Sequence, residues 1–406
     1  MKKQSNTPQI RFHNYKELWE CDRLKNIFRT IRNAFVGTAT PYYVEKGHFY
    51  LESNNVKNGK INYNSQIFIN DEFYEKQRDK WLKTNDIVMV QSGHVGHTAV
   101  IPKELNNTAA HALIVFTDYK KEVNPHFLNY QFQSSSKRKE LDLISTGNTI
   151  KHILASEMKS FKMDFPTVEE QSAIGSLFRT LDELLSSYKD NLANYQSLKA
   201  TMLSKMFPKA GQTVPEIRLD GFEGEWKIKR ADEIFKSVSE KNRALLPVLS
   251  ASQIDGMVLR DEIGIDIKYD EATLNNYKVV KPGQFVIHLR SFQGGFALSK
   301  LEGITSPAYT IIDFIDKKNH LSGFWNSLLT SKEFIKRLET VTYGIRDGKS
   351  ISFKDFSSLK FIFPNLEEQQ AIGKYFTNLD NLITSYQEKI SQLETLKKKL
   401  LQDMFI

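Results

Sequence analysis

Four consecutive residues, Asn124-Pro125-His126-Phe127, come close to the Asn/Asp-Pro-Pro-Phe/Tyr sequence with which adenine methyltransferases hold a flipped base. The same residues suit the start of a helix, because Asn caps a free N–H group and Pro fits the first turn. Leu128 and Phe132 continue with apolar residues at helical spacing. No glycine-rich strand–turn–helix sequence for S-adenosylmethionine accompanies the motif. A helix start is therefore the preferred interpretation.

A glycine-rich stretch, Gly344-Ile-Arg-Asp-Gly-Lys-Ser350, resembles a nucleotide-binding phosphate loop but has three residues between its glycines where that loop has four. Thr342-Tyr343 is also a poor buried strand from which to begin such a loop. We expect a basic turn whose Arg346 and Lys349 face the phosphates of a polyanion, with a solvated loop as an equal alternative.

Carboxylates and imidazoles are the side chains that hydrolytic or metal chemistry would require. Asp142, Glu157 and Lys159 have the residue types of a nuclease site, but Glu157 equally fits a solvated helix start. His94 and His97 form the only close histidine pair, in a glycine-containing loop, and they lack a neighbouring carboxylate or cysteine that would complete a metal shell. A hydrogen-bonding loop is the preferred interpretation of the histidine pair.

Two polar loops follow predicted strands at equivalent places in the chain. They read Gln91-Ser-Gly-His-Val-Gly-His97 and Arg290-Ser-Phe-Gln-Gly-Gly295. Arg and Gln offer paired donors and acceptors that match base edges, and glycine lets a backbone approach a groove closely. Both loops could also simply turn hairpins. The candidate contact residues in the loops and the basic turn are Gln91, Ser92, His94, His97, Arg290, Ser291, Gln293, Arg346 and Lys349.

The elements that position these loops are short strands and two long helices. Apolar runs at residues 86–90, 112–116, 284–288 and 309–313 predict strands. Residues 165–207 and 363–405 carry apolar residues at alternating spacings of four and three, which indicates paired helices of a coiled coil. A lysine, Lys199 or Lys397, interrupts each stripe. The predicted helix-pair interface consists of Ile174, Phe178, Leu181, Leu185, Tyr188, Leu192, Ile372, Phe376, Leu379, Ile383, Tyr386 and Ile390.

The two helical stretches align without a gap and are identical at nearly half of their positions. Thr167 and Asn365 are predicted N-caps, each followed after three residues by a glutamate, Glu170 or Glu368, in the capping-box arrangement. The duplication extends to Pro8-Gln-Ile-Arg and Pro215-Glu-Ile-Arg, and the halves diverge between residues 42–80 and 246–278. A whole globule plus its helix has therefore been duplicated.

Composition fits a globular protein with more than one core, with 40% hydrophobic residues among 406. A net charge of +8 and a pI near 9.1 favour polyanionic partners. Cys21 is the only cysteine, so an intrachain disulfide is impossible and a reducing compartment, the cytoplasm, is expected. No apolar run approaches the length of a membrane span, and the first residues lack the apolar core of a signal peptide.

Two copies of a Phe-Pro-x-x-Glu-Glu-Gln-x-Ala-Ile-Gly-x-x-Phe motif, each heading a long helix, and the two Pro-x-Ile-Arg segments carry a family resemblance. Over its full length the chain resembles the DNA specificity subunit of type I restriction-modification systems. The resemblance implies two target-recognition domains, each reading half of a bipartite double-stranded DNA site. It also implies helices that bind two methyltransferase subunits, which use S-adenosylmethionine, and restriction subunits driven by ATP and Mg²⁺ in the full complex.

The resulting interpretation is an α+β protein in which two globules are separated by a pair of antiparallel coiled-coil helices, with pseudo-twofold internal duplication. The predicted boundaries are 1–164 for target-recognition domain 1, 165–208 for helical region 1, 209–362 for target-recognition domain 2 and 363–406 for helical region 2. No catalysis, cofactor or metal is expected in the chain itself. The alternatives are a non-catalytic coiled-coil scaffold for proteins and a fused methyltransferase or nuclease.

Overall fold

The structure is a computed structural model that describes residues 7–147, 150–252, 255–263, 271–288, 295–341 and 353–406. The chain divides into two compact units. Unit 1 comprises Met1–Lys189 and Glu388–Ile406, and unit 2 comprises Asp190–Gln387. Each unit therefore contains one globule and a part of both long helices.

Unit 1 is a mixed α and β structure. Its strands are β1 (Glu20–Arg23), β2 (Phe28–Asn33), β3 (Tyr43–Val44), β4 (His48–Leu51), β5 (Val56–Lys57), β6 (Lys60–Ile61), β7 (Ile67–Ile69), β8 (Ile87–Val90), β9 (Thr98–Val100), β10 (Ala109–Ala110), β11 (Leu113–Tyr119) and β12 (Lys162–Phe165). Its helices are α1 (Leu24–Ile27), α2 (Asp71–Lys76), α3 (Pro125–Gln133), α4 (Ser135–Ile144), α5 (Ala155–Ser160) and the first part of α6 (Val168–Lys205).

Unit 2 repeats this order, with fewer strands among its described residues. Its strands are β13 (Lys227–Arg230), β14 (Phe235–Val238), β15 (Leu249–Ser252), β16 (Gly256–Leu259), β17 (Lys278–Val280), β18 (Phe285–Ile287), β19 (Phe296–Leu298), β20 (Gly303–Thr305), β21 (Thr310–Phe314) and β22 (Lys360–Phe363). Its helices are α7 (Ala231–Ile234), α8 (Ser322–Leu329), α9 (Lys332–Val341), α10 (Phe353–Ser357) and the first part of α11 (Leu366–Asp403).

The two units share one framework of antiparallel strands. In unit 1 a four-stranded sheet has the order β2-β11-β8-β9, and unit 2 has the equivalent order β14-β21-β18-β19. The chain enters and leaves each globule on neighbouring strands, because Glu20 pairs with Phe165 and Lys227 pairs with Phe363. The predicted strands all lie in these sheets, and the prediction of a duplicated α+β globule is confirmed.

Outside the framework the units differ where the two halves of the sequence diverge. Unit 1 carries a second sheet, β10-β4-β7-β3, with a core of its own around Tyr50, Ile69 and Phe73. Unit 2 instead has the two-stranded pairs β15-β16 and β17-β20 in the part that the structure describes. The shared framework therefore supports two different surfaces.

The start of each long helix is fixed by a buried ion pair with the Pro-x-Ile-Arg segment. Arg11 donates from Nε and Nη2 to the two oxygens of Glu170, both at 2.7 Å. Arg218 makes the same bidentate contact with Glu368 at 2.8 Å. Both glutamates are buried, and removing one partner of such a pair typically destabilises a fold by about 3–5 kcal/mol.

These ion pairs correct the capping-box prediction. Thr167 and Asn365 do cap their helices, because their side-chain oxygens accept hydrogen bonds from the backbone N–H groups of Glu170 and Glu368. The carboxylates of those glutamates do not return to the cap; they bind arginine. Local sequence favoured a reciprocal cap, but the arginine is brought close only by the tertiary fold.

The helices α6 and α11 run antiparallel within each unit. In unit 1, Asp182 pairs with Lys397 at 2.6 Å and Lys189 pairs with Glu394 at 2.6 Å. Residue numbers therefore rise along α6 as they fall along α11. In unit 2, Lys199 forms an ion pair with Asp380, and the rings of Tyr195 and Tyr386 lie 5.4 Å apart. The lysines that interrupt the apolar stripes are thus ion-pair partners of aspartates on the opposite helix.

The core of each unit is closed by the end of a helix from the other half of the sequence. In unit 1, Phe405 lies 5.6 Å from Phe127 and 5.7 Å from Phe178 between ring centroids, and it also contacts Trp19. Met404 joins the same core. Neither globule can complete its aromatic core from its own half of the sequence.

Unit 2 repeats this arrangement. Phe207 lies 5.6 Å from Phe324 and 6.1 Å from Phe376, and it meets Trp226 edge to face. Backbone hydrogen bonds reinforce both closures, since Ile10 N–H donates to the carbonyl of Asp403 at 2.9 Å and Ile217 N–H donates to that of Lys205 at 3.0 Å.

We predict that Phe405→Ala destabilises unit 1 by about 3–5 kcal/mol, because it removes a buried ring and leaves a cavity. Hydrogen exchange followed by mass spectrometry should show loss of protection in β2 and β11 but not in β14 and β21. Phe207→Ala is the matched variant and should give the opposite pattern. Leu396→Ala, at an exposed position of α11, is the control. If either variant reduced protection equally in both units, the two aromatic cores would not be closed independently by Phe405 and Phe207.

Candidate nucleic-acid interface

The first predicted loop, residues 91–97, connects β8 to β9 in unit 1. The N–H of Val90 donates to the carbonyl of His97 at 2.8 Å, and the N–H of Gly96 donates to the carbonyl of Val90 at 3.0 Å. Gly96 has a φ of +76°, and a Cβ there would lie 3.1 Å from the side chain of Leu141 and 3.6 Å from that of Arg138. Glycine is thus required by both its backbone conformation and the close approach of α4.

A second segment, between α4 and α5, lies directly beside this loop. The N–H of Gly93 donates to the carbonyl of Lys151 at 3.0 Å, and the N–H of Ile153 donates to that of Gln91 at 2.9 Å. Thr146 and His152 exchange two backbone hydrogen bonds that close the segment. This segment was not predicted from the sequence of this half. The duplication could have revealed it, because it corresponds to the stretch between α9 and α10 that contains the predicted basic turn.

A third element, the hairpin β5–β6, completes the surface. Its turn residues Asn58 and Gly59 have φ values of +52° and +82°, as a tight two-residue hairpin requires. The N–H of Asn58 lies 3.3 Å from Nδ1 of His97, and Lys57 and Lys60 are exposed on either side of the turn. This hairpin was also missed, although Asn-Gly is a strong hairpin signal in sequence.

His97 and Arg138 form the electrostatic centre of this surface. Nη2 of Arg138 lies 3.1 Å from Nδ1 of His97. Burial, and then the positive charges of Arg138, His94 and Lys57, lower the pKa of His97 to about 4. The imidazole is therefore neutral at pH 7, and its Nδ1 accepts a hydrogen bond from the guanidinium. The pKa of Arg138 is lowered by burial, but the group stays charged.

The other predicted residues of the loop have different environments. Gln91 and Ser92 are half-buried and His94 is exposed. The Oε1 atom of Gln91 is buried without a hydrogen-bond partner among the described residues. The rings of His94 and His97 have centroids 6.5 Å apart. Within the described ranges no group of three or more His, Cys, Asp or Glu side chains could hold a metal ion.

The residues that came close to a methyltransferase motif form a helix start. Asn124 caps α3, and its Oδ1 accepts from the N–H of Phe127 at 3.1 Å. The N–H of Asn124 donates to Oε1 of Gln171 at 3.1 Å, and a Cβ on Gly175 would lie 2.9 Å from Oδ1 of Asn124. Gln171 and Gly175 of the repeated motif thus hold α6 in contact with the N-cap of α3. The preferred interpretation is confirmed.

Asp142, Glu157 and Lys159, which have the residue types of a nuclease site, lie in different local environments. Asp142 pairs with Lys151 at 3.1 Å on the surface. Glu157 lies in the first turn of α5, and Lys159 in its last turn. The helix-start interpretation of Glu157 is confirmed.

The candidates of unit 2 lie outside the described residues: Arg290, Ser291, Gln293, Arg346 and Lys349. The ends of the first loop are described. The N–H of His288 donates to the carbonyl of Gly295 at 3.1 Å, and Ile287 pairs with Phe296. This loop therefore joins β18 to β19, as residues 91–97 join β8 to β9.

The predicted helix-pair residues have two environments. The first three of each stripe pack into the cores of the globules, namely Ile174, Phe178 and Leu181 in unit 1 and Ile372, Phe376 and Leu379 in unit 2. Leu185 and Ile390 are also buried, whereas four further residues are half-buried: Tyr188, Leu192, Ile383 and Tyr386. The first residues of each apolar stripe thus pack against the globule, and the later residues of the stripe contact the partner helix.

Together these features define a protein of two homologous recognition modules that share a pair of long helices. Residues 17–194 and 223–395 each match the family described as type I restriction modification DNA specificity domain. The chain belongs to this family and contains two copies of the domain. It is accordingly a DNA-recognition subunit and not a catalytic one, and it acts together with partner subunits.

Curated relatives support this assignment. The type I restriction enzyme MjaVIII specificity subunit of Methanocaldococcus jannaschii is 23% identical over 423 residues, which cover 98% of this chain and 95% of the relative. The type I restriction enzyme EcoBI specificity subunit of Escherichia coli is 23% identical over 210 residues, or 50% of this chain and 44% of that protein.

Solved structures show the same fold. The S subunit of a type I restriction-modification system from M. genitalium gives a TM-score of 0.62 at 15% identity, covering 98% of this chain and 99% of that one. A chain from a study of complex assembly and conformational transition in a type I system gives 0.53 at 16% identity, with 95% and 97% covered. Among the described residues, no helix combines the length and apolarity needed to cross a membrane.

We predict that the imidazole of His97 titrates near pH 4, well below the value of about 6.5 for a free side chain. Stability contributed by the neutral ring is then fully present above pH 6.5 and is lost as the pH falls towards 4. NMR of histidine-labelled protein would measure this, with the resonance assigned through His97→Gln. A midpoint near 6.5 would show that the ring is not buried against Arg138.

Proposed function

We propose that each unit reads its own half of a bipartite double-stranded DNA sequence, and that the shared helices hold partner subunits which modify the DNA. The observation that carries this proposal is the combination of an identical framework with different surfaces. Both units hold a hairpin loop between equivalent strands, β8–β9 and β18–β19, while the sheets beside these loops differ. Two related modules with different surfaces suit two different half-sites.

The described loop surface of unit 1 has the chemistry that reading DNA requires. It offers hydrogen-bonding side chains from Ser92 and His94, and cations from Lys57, Arg138 and Lys151. Polar side chains on glycine-containing loops can approach base edges, while cations contact phosphates and set affinity. The predicted base contacts of unit 2, including Arg290 and Gln293, remain predictions.

The partners and cofactors follow from the family's role. In this proposal, two methyltransferase subunits bind the helices and carry S-adenosylmethionine, while restriction subunits with ATP and Mg²⁺ join in the full complex. The complex would act in the cytoplasm. A scaffold that only binds proteins would show no dependence of DNA affinity on sequence at fixed salt, which is the measurement that separates the two functions.

An exchange of globules tests the independence of the half-sites. Residues 20–165 would be replaced by the equivalent segment of a relative, because β1 and β12 are adjacent strands and the Arg11–Glu170 pair stays intact. We expect one half of the motif methylated in cells to change. The matched exchange of residues 227–363, bounded by β13 and β22, should change the other half. If one exchange altered both halves, the units would not read independently.

We also predict that the purified chain neither methylates nor cleaves DNA without partner subunits. Methyl transfer would be measured with labelled S-adenosylmethionine, and cleavage with supercoiled plasmid plus ATP and Mg²⁺. Addition of the methyltransferase subunit should restore methylation. Turnover that persists in the chain after partner subunits have been removed would refute the assignment of catalysis to those partners.

A further inference from the structure

A cleft of about 500 Å³ opens within unit 1 between the globule and the helix pair. Its walls come from the hairpin β5–β6, from α3 and α4, and from α6 and α11. The cations that line it are Lys60, Arg138, Lys189, Lys397 and Lys398. Among the described residues that line it, two are carboxylates, Asp182 and Glu394, so these residues together carry an excess of three positive charges.

The two carboxylates are already bound. Asp182 is buried, accepts from the hydroxyl of Tyr130 at 2.9 Å and pairs with Lys397 at 2.6 Å. The Nζ of Lys60 lies 3.2 Å from the carbonyl of Asp182 and 3.7 Å from its carboxylate. Glu394 pairs with Lys189 at 2.6 Å. These contacts join the walls of the cleft, with two carboxylates shared among the three lysines Lys60, Lys189 and Lys397.

Arg138 and Lys398 differ from the other three cations. Neither forms an ion pair with a carboxylate in the described parts of the chain, and the hydrogen bond shown for Arg138 goes to His97, a neutral acceptor. Asp142 acts on Arg138 electrostatically but is not in ion-pair contact with it, and a guanidinium that is partly withdrawn from water without such a contact is costly. Binding of an anion would offset this cost and would use the remaining donors of the guanidinium.

Lys398, unlike Lys189 and Lys397, forms no ion pair between the two helices among the described residues. Unit 2 contains the same antiparallel pair, with its Lys199–Asp380 contact matching Lys397–Asp182. Yet the position that aligns with Lys398 is Ala200, whereas the paired Lys189 and Glu394 align with the uncharged Gln387 and Gln196. The charge of Lys398 is therefore an addition of unit 1 that the helix pair of unit 2 does without.

We propose that this cleft binds the sugar–phosphate backbone of the DNA, with Arg138 and Lys398 contacting phosphates and His97 positioning Arg138. The proposal rests on DNA recognition by unit 1 and extends it from the loop surface onto a long helix. The ligand is a chain of phosphates because the cations come from separate elements. Asn58 and Arg138 also line the cleft while touching His97, which makes the cleft continuous with the predicted base-reading loop.

The test measures the salt dependence of binding by the complex of this chain with its methyltransferase subunit. Fluorescence anisotropy would follow a duplex that carries the motif mapped in cells and a duplex that lacks it, over a series of KCl concentrations. Lys398→Ala and Arg138→Gln should each reduce the slope of log K against log salt by about 0.9 and weaken both duplexes similarly. Lys399→Ala, at the exposed next residue outside the cleft, should leave the slope unchanged.

His97→Ala tests positioning. It should reduce the slope as much as Arg138→Gln does, and the double variant should lose no more than either single variant. If His97→Ala lowered the melting temperature of the protein but left the slope of log K against log salt unchanged, the role of His97 would be purely structural.

An unchanged slope in both Lys398→Ala and Arg138→Gln would overturn the proposal. Weakening restricted to the motif duplex would also overturn it, by making Arg138 a base contact. If the unaltered complex bound both duplexes equally, the failure would lie in the proposed reading of sequence and not in the cleft.

Discussion

The closure of each aromatic core by a helix end from the other half of the sequence is the constraint from which the architecture follows. Phe405 and Phe207 occupy equivalent places among tryptophan and phenylalanine rings. Each such ring contributes about 1.5–3 kcal/mol by burial and more through edge-to-face contacts. For both contacts to form, α6 and α11 must run in opposite directions. The antiparallel pair is thus a consequence of how the globules are completed.

Polar contacts along the helices make this arrangement specific. A purely apolar seam can slide by a heptad, whereas Asp182–Lys397 and Lys199–Asp380 each satisfy a charge in one register only. Asp182 is buried, so a shift would remove Lys397 and leave the carboxylate with Lys60 alone, 3.7 Å away, and loss of a partner from a buried ion pair is destabilising. The repeated lysines, which weaken the apolar stripe, therefore specify how the helices pair.

Sequence periodicity was sufficient to predict the two long helices and the strands β8, β11, β18 and β21, because apolar spacing reports directly on which face of a helix or strand is buried. The duplication predicted the equivalent loops, because the same apolar spacing marks the strands that precede each loop in both halves. It could not predict that Glu170 binds Arg11, since the two residues are far apart in sequence and local capping rules favour another partner. The Arg138–His97 contact was missed for this reason as well, as it joins α4 to a loop between strands.

The division of the chain also has a consequence for folding during synthesis. Unit 2 is one continuous segment, Asp190–Gln387, whereas unit 1 needs Glu388–Ile406 to finish its core. Non-local contacts form slowly because the intervening chain must first be closed into a loop. On the ribosome, the segment made first would thus be the last to become fully protected. Until Phe405 emerges, an apolar slot beside Trp19 and Phe127 stays open to solvent and to chaperones.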